Sequence, residues 1–231
     1  MAIRFLTDST ADILPQEAAQ RDIDVVPLKV LFGETAYRDG IDLDHPTFYQ
    51  MLSQSKALPT TSQPTPDDFL PYFERARDQG DHLICALLSS QLSGTVQSAQ
   101  IAREMCGYEH IYIIDSTLAI VALRAMLDLG EQLRSQGMSA PDIAAQIEAA
   151  KSRMRVFGIV DTLEYLHKGG RMSTSVAVVG SLLRVKPIIT LKDGVLGLVG
   201  KGVGTKGSLA GMLKQVGDDI HPDPRLPIYY G

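Results

Sequence analysis

In Leu87-Leu88-Ser89-Ser90-Gln91-Leu92-Ser93-Gly94-Thr95-Val96-Gln97-Ser98 one periodicity stops and another starts. The apolar run 82–88 ends abruptly at hydroxyl residues. From Val96 the apolar positions recur at threes and fours, through Ala99, Ile101, Ala102 and Met105. That is a strand, a turn and a helix, with the turn at the strand's carboxyl end. Open parallel sheets bind their ligands at such an edge. The first N–H groups of a helix lack intrahelical partners and carry a positive partial charge. Ser93, Gly94 and Thr95 therefore stand where an anionic oxygen is well received. The plainer reading is a serine N-cap.

Outward from that turn, alternation continues. Residues 3–7 predict a strand ending in Asp8-Ser9-Thr10, and residues 111–114 a strand ending in Asp115-Ser116-Thr117. Both triplets read as helix caps or turns, or as hydroxyls on the ligand edge beside Ser93. Residues 23–32 predict one strand, interrupted by Pro27 and so placed at an edge. Residues 33–44 read as a polar loop, with Asp44 capping a short helix. Three prolines within 58–66 keep that stretch out of helix and sheet alike. Thr65 then caps a helix that ends at Gly80. The helix after Asp115 reads as apolar on nearly every side, which predicts burial on two sides. Ser139 and Asp142 open an amphipathic helix.

The texture changes near residue 155. Lys192-Asp193-Gly194 between apolar runs predicts a hairpin. The fold expected is α/β in two domains. The first is a mostly parallel, Rossmann-like three-layer domain over residues 1–152. The second is a smaller α/β domain with antiparallel strands over residues 153–231. Residues 226–230 look like the opening of a further strand, which predicts a second domain truncated at its C-terminus.

Composition narrows function. A net charge of −5 with no basic block argues against nucleic-acid partners. The two cysteines, Cys85 and Cys106, lie in apolar surroundings and read as inert core thiols. His45, His82, His110, His167 and His221 have no metal-ligand spacing, so neither a metal nor a cofactor is expected. The N-terminus lacks the organisation of a signal peptide, and no apolar run reaches ~18 residues; the expected location is the cytoplasm. Gly202-Val203-Gly204-Thr205-Lys206-Gly207 fits a dinucleotide fingerprint by letters only, because the strand before it belongs to a hairpin. Ser93 lacks the leading glycine of a nucleophile elbow, and no base is evident. Gly169-Gly170-Arg171 reads as a tight turn, or as an anion nest clamped by Arg171.

The edge thus offers hydroxyls and backbone N–H groups (Thr61, Ser62, Ser93, Thr95, with Ser9 and Ser116 as further candidates) beside apolar helices. A polar head with an apolar tail fits that pairing. The segments Phe5-Leu6-Thr7-Asp8-Ser9-Thr10-Ala11-Asp12, Val25-Val26-Pro27-Leu28, Thr61-Ser62-Gln63-Pro64, Ser89-Ser90-Gln91-Leu92-Ser93-Gly94-Thr95, Asp115-Ser116 and Gly169-Gly170-Arg171-Met172-Ser173 resemble the DegV family. The resemblance implies a long-chain fatty acid, such as palmitate, bound between two α/β domains. It further implies that Thr61 and Ser93 hold the carboxylate. It implies a lipid carrier or acyl-presenting subunit for a fatty acid kinase, without catalysis of its own, and transient membrane contact for lipid exchange. Two departures stand out. Gly204 occupies the place of an arginine in a Val-Arg-Thr segment, and the chain ends before a C-terminal histidine of the head-group network. The alternatives are a Ser93-dependent acyl or ester hydrolase and a phosphometabolite binder using Gly170, Arg171 and Gly204.

Overall fold

The computed structural model describes residues 1–172 and 184–216. Expectations for Ser173, for the small apolar residues 175–183, for His221 and for a strand over 226–230 lie outside the described residues. The chain forms two compact units, Met1–Met154 and Arg155–Tyr230.

The first unit is built on a parallel sheet of β1 (Ile3–Asp8), β2 (Ile23–Val26), β6 (His82–Leu87) and β7 (Ile111–Asp115), in the order β2-β1-β6-β7. Strands buried on both faces read as continuous apolar runs rather than as alternation. That is why Leu83, Ile84, Cys85, Ala86 and Leu87 are all buried. One face is covered by α3 (Pro66–Gln79) and α4 (Thr95–Cys106). Phe69, Phe73, Val96, Ala99 and Ala102 pack there on Leu6, Val26, Leu83, Cys85 and Leu87. The other face carries α5 (Ile120–Ser135) and α6 (Ala140–Ala150), with Leu123, Met126, Leu127, Ile143 and Ile147 buried. Both cysteines are buried free thiols, and burial in the middle of β6 pushes the Cys85 thiol far above its ordinary range.

The α5 reading needs correction. Ala122, Leu123, Met126 and Leu127 are inward and Ile120 is exposed, while Arg124, Asp128 and Glu131 form a charged side that meets α1 (Pro15–Arg21). There Arg21 pairs with Asp128 and Glu131, and Arg124 with Glu17. The helix is amphipathic after all, with its polar side answered by another helix.

Residues 23–32 are not one strand. The chain leaves the parallel sheet at Pro27, which has no N–H for a ladder. It then enters β3 (Lys29–Phe32), the centre of a separate antiparallel sheet with the order β4-β3-β5. The supposed polar loop contains β4 (Thr35–Arg38), and the proline-rich stretch contains β5 (Thr60–Ser62). Pro59 and Pro64 flank β5 rather than interrupt it. Between β4 and β5 lies α2 (His45–Gln54), capped by the Asp44 carboxylate, which accepts the Thr47 N–H at 2.8 Å. Thr65 and Asp68 form the capping box of α3, and Ser139 caps α6.

The second unit contains β8 (Val156–Ile159), α7 (Glu164–Lys168), β9 (Val185–Lys192), β10 (Val195–Val203) and α8 (Gly204–Val216). Its sheet is antiparallel, in the order β10-β9-β8. Lys192 faces Val195 across the hairpin, and Asp193 and Gly194 both take positive φ, as the two-residue turn requires. The glycine-rich segment 202–207 is the corner between β10 and α8, and among the described residues it belongs to no βαβ unit.

Candidate functional site

The turn between β6 and α4 is shaped by side chains from elsewhere in the first unit. β1 and β7 flank β6, and each ends in an aspartate that bonds the turn. Asp8 is fully buried. Its carboxylate accepts the Leu88 N–H at 2.7 Å, the Thr10 N–H at 3.0 Å and the Thr10 hydroxyl at 2.6 Å. Burial raises the Asp8 carboxyl above the ordinary range, and the Leu88 and Thr10 donors pull against that rise. Asp115 accepts the Ser90 N–H at 3.1 Å, the Ser90 hydroxyl at 2.5 Å and the Thr117 N–H at 3.0 Å. Lys151 brings a positive charge to the same edge, donating to the Asp115 carbonyl at 2.9 Å.

A third acceptor comes from the end of β5. The Gln63 Oε1 accepts the Gly94 N–H at 3.0 Å, and its Nε2 donates to the Ser98 hydroxyl at 3.3 Å. This links the Thr61-Ser62-Gln63-Pro64 segment to the Ser93 turn. Gln63 stands two residues from Thr61, and Gly94 is next to Ser93. Sequence reasoning missed Gln63. A glutamine in a polar stretch carries no local pattern, and its partner lies 31 residues away.

The predicted hydroxyls separate into two groups. Ser93 is half-buried, and its hydroxyl pairs with that of the buried Thr95 at 2.9 Å. Ser93 is not the N-cap; Gly94 occupies that position. Thr61 and Ser62 are exposed on edge strand β5. Ser90, Ser93, Gly94, Gln97 and Asp115 line a depression of about 350 Å³. Ser9 and Ser116 are used internally. The Ser9 hydroxyl accepts the Leu28 N–H at 3.1 Å, tying β1 to the entry of β3. Ser116 is fully buried, donating to the Leu118 carbonyl and accepting the Leu118 N–H. Ser116, expected on the ligand edge, closes its own loop with its hydroxyl. That loop is strained, with Thr117 at φ 54° and the β-branched Ile120 at φ 57°.

The Gly94 N–H, expected at the ligand, is occupied by Gln63. Likewise, no open nest forms at Gly169-Gly170-Arg171. The N–H groups of Gly169, Gly170 and Arg171 donate to the carbonyls of Tyr165, His167 and Leu166, closing the end of α7. The Arg171 guanidinium donates to the Gly169 carbonyl. His82 and His110 sit at the amino ends of β6 and β7, against each other and Tyr112. His82 opens the six-residue strand β6, which puts it about 20 Å from the turn beyond the strand's other end, so neither serves Ser93 as a base. Among the described residues no cluster of three metal-ligating side chains occurs, and no helix is long and apolar enough to cross a membrane.

Comparison with known proteins follows the same lines. The family model for the uncharacterised DegV proteins matches residues 2–229. Protein DegV of Bacillus subtilis is 37% identical over 197 residues, which is 85% of this chain and 70% of that protein. Among solved structures, a DegV family protein from Thermus thermophilus, described by its fatty acid binding, aligns with a TM-score of 0.83 at 33% identity. The match covers 93% of this chain and 76% of that one. A stearic acid-binding protein from Eubacterium ventriosum aligns with a TM-score of 0.84 at 29% identity, over 94% of this chain and 75% of its own.

Proposed function

This chain belongs to the DegV family, and from that premise we propose that it binds a long-chain fatty acid such as palmitate, with the carboxylate held by Thr61 and Ser93. The observation that carries the reading is the Gln63 bridge, which joins the segment of one hydroxyl to the turn of the other. A neutral hydroxyl at the positive end of α4, with a second on the segment bridged to it, suits a carboxylate.

The energies order the contributions. Each buried methylene is worth about 0.8 kcal/mol, so a tail of about fifteen gives at most ~12 kcal/mol before association costs. A hydrogen bond to a charged group nets about 1.5–3 kcal/mol. The tail supplies affinity, and the hydroxyls supply orientation and preference for an acid over a neutral lipid. Thr61→Ala and Ser93→Ala are each expected to weaken palmitate binding by about tenfold to a hundredfold in a calorimetric titration. Unchanged affinity in both variants would remove the head-group assignment.

The protein acts in this reading as a cytoplasmic binding module and acyl carrier rather than as a hydrolase. Ser93 pairs with Thr95, and the two histidines that bracket its turn in sequence lie at the other end of the sheet. Presentation of the acyl carboxyl to a partner kinase rests on the sequence resemblance, and Gly204 departs from it where an arginine is expected. Lipid binding through Thr61 and Ser93 survives that departure more easily than kinase partnership does.

A further inference from the structure

Gly94 has no conformational reason to be glycine. Its φ of −76° and ψ of 13° are open to any residue. The reason is space. A Cβ on Gly94 would lie 2.2 Å from the Gln63 Oε1 and 2.5 Å from its Nε2, far inside any contact a real Cβ makes. The Gln63 amide is packed flat on the Gly94 backbone, with its oxygen bonded to the Gly94 N–H and its nitrogen to Ser98. Both ends of the amide are used, which fixes its orientation. Without this contact β5 is a three-residue edge strand, paired along one side to β3.

We propose that Gln63 is a positioning residue for head-group recognition: it clamps the end of β5 onto the α4 turn so that the Thr61 and Ser93 hydroxyls meet one carboxylate. Gly94 is the seat cut for that clamp. The inference rests on the fatty acid reading above and adds a specificity determinant to it. Gln63 acts through the hydroxyls, so its loss affects recognition of the acid and leaves the tail's affinity alone.

The test is a calorimetric titration of palmitate and of hexadecanol, which has the same tail and no charge. The proteins are the wild type, Gln63→Ala, Gly94→Ala and the double variant. Gln63→Ala is expected to weaken palmitate about tenfold, from the loss of preorganised hydrogen bonds to the charged head. Hexadecanol is expected to change by less than about twofold, since its binding is dominated by the tail. Gly94→Ala pushes the amide off its seat and reproduces both results. The double variant is no worse than either single one, because the two changes break one contact. Wild-type palmitate affinity in Gln63→Ala overturns the proposal, as do equal losses for palmitate and hexadecanol, or losses that add in the double variant. A wild type that takes up no palmitate overturns the fatty acid reading itself, and this proposal falls with it.

Discussion

Asp8-Ser9-Thr10 and Asp115-Ser116-Thr117 share three residue types, end the strands on either side of β6 and bond the same turn with their aspartates. In each, the aspartate also accepts the N–H two residues on. They part company beyond that local turn. Asp8 is fully buried, and Ser9 reaches across to the entry of another sheet. Asp115 is half-buried beside the exposed Ser90, and Ser116 folds back on its own loop. The Asp8 triplet runs into a 3-10 turn without strain at Thr10, whereas Thr117 lies in the left-handed region. A short motif therefore transmits a hydrogen-bond pattern, while burial decides what each bond is worth.

The largest expected consequence is a difference in stability between the two aspartates. Asp8→Ala strands the buried Leu88 N–H and the half-buried Thr10 donors and is expected to cost about 3 kcal/mol. Asp115→Ala leaves its donors to water and is expected to cost about 1 kcal/mol. Urea denaturation of both variants measures this, and equal costs would break the comparison.

Different outcomes are expected one step along each triplet. Thr117→Gly relieves a left-handed backbone worth about 1–2 kcal/mol, loses its hydroxyl bond to the Ser116 carbonyl and gains freedom when unfolded, and is expected to leave stability within about 0.5 kcal/mol. Thr10→Gly loses the hydroxyl bond to Asp8 and gains freedom when unfolded, and is expected to destabilise by about 1–2 kcal/mol. Thermal unfolding of the pair shows whether the strain is real.

The smallest effect is a pH dependence. Burial raises the Asp8 carboxyl in the folded state, so the folded protein binds that proton more tightly than the unfolded chain. Its contribution is complete below the unfolded value of about 4 and is lost as pH rises through the raised one. The stability of the wild type relative to Asp8→Asn should accordingly fall as pH rises from 4 to 7. A flat difference would contradict burial as the distinguishing feature.

The sequence made the strand–turn–helix over residues 82–106 legible because a run buried on both faces gives way there to a helical period. The hairpin at Asp193 and Gly194 was legible from two residues. What stayed hidden was the second sheet. β4 and β5 are short and largely exposed, so Thr35–Arg38 and Thr60–Ser62 show no apolar alternation. Pro27 marks an edge in the sequence, and β2 is an edge strand, yet nothing local says that the strand ends there and the chain changes sheets. For the site, hydroxyl residues near a turn were visible. Whether each faces out, as Thr61 does, or closes on itself, as Ser116 does, depends on packing that no short window encodes.

Because the Ser93 turn takes its form from acceptors at positions 8, 63 and 115, it is not a portable loop. A synthetic peptide covering residues 87–98 would contain the letters of the turn and none of the scaffolding that gives them a shape. Transplanting this turn onto another protein would mean moving the ends of three strands at once.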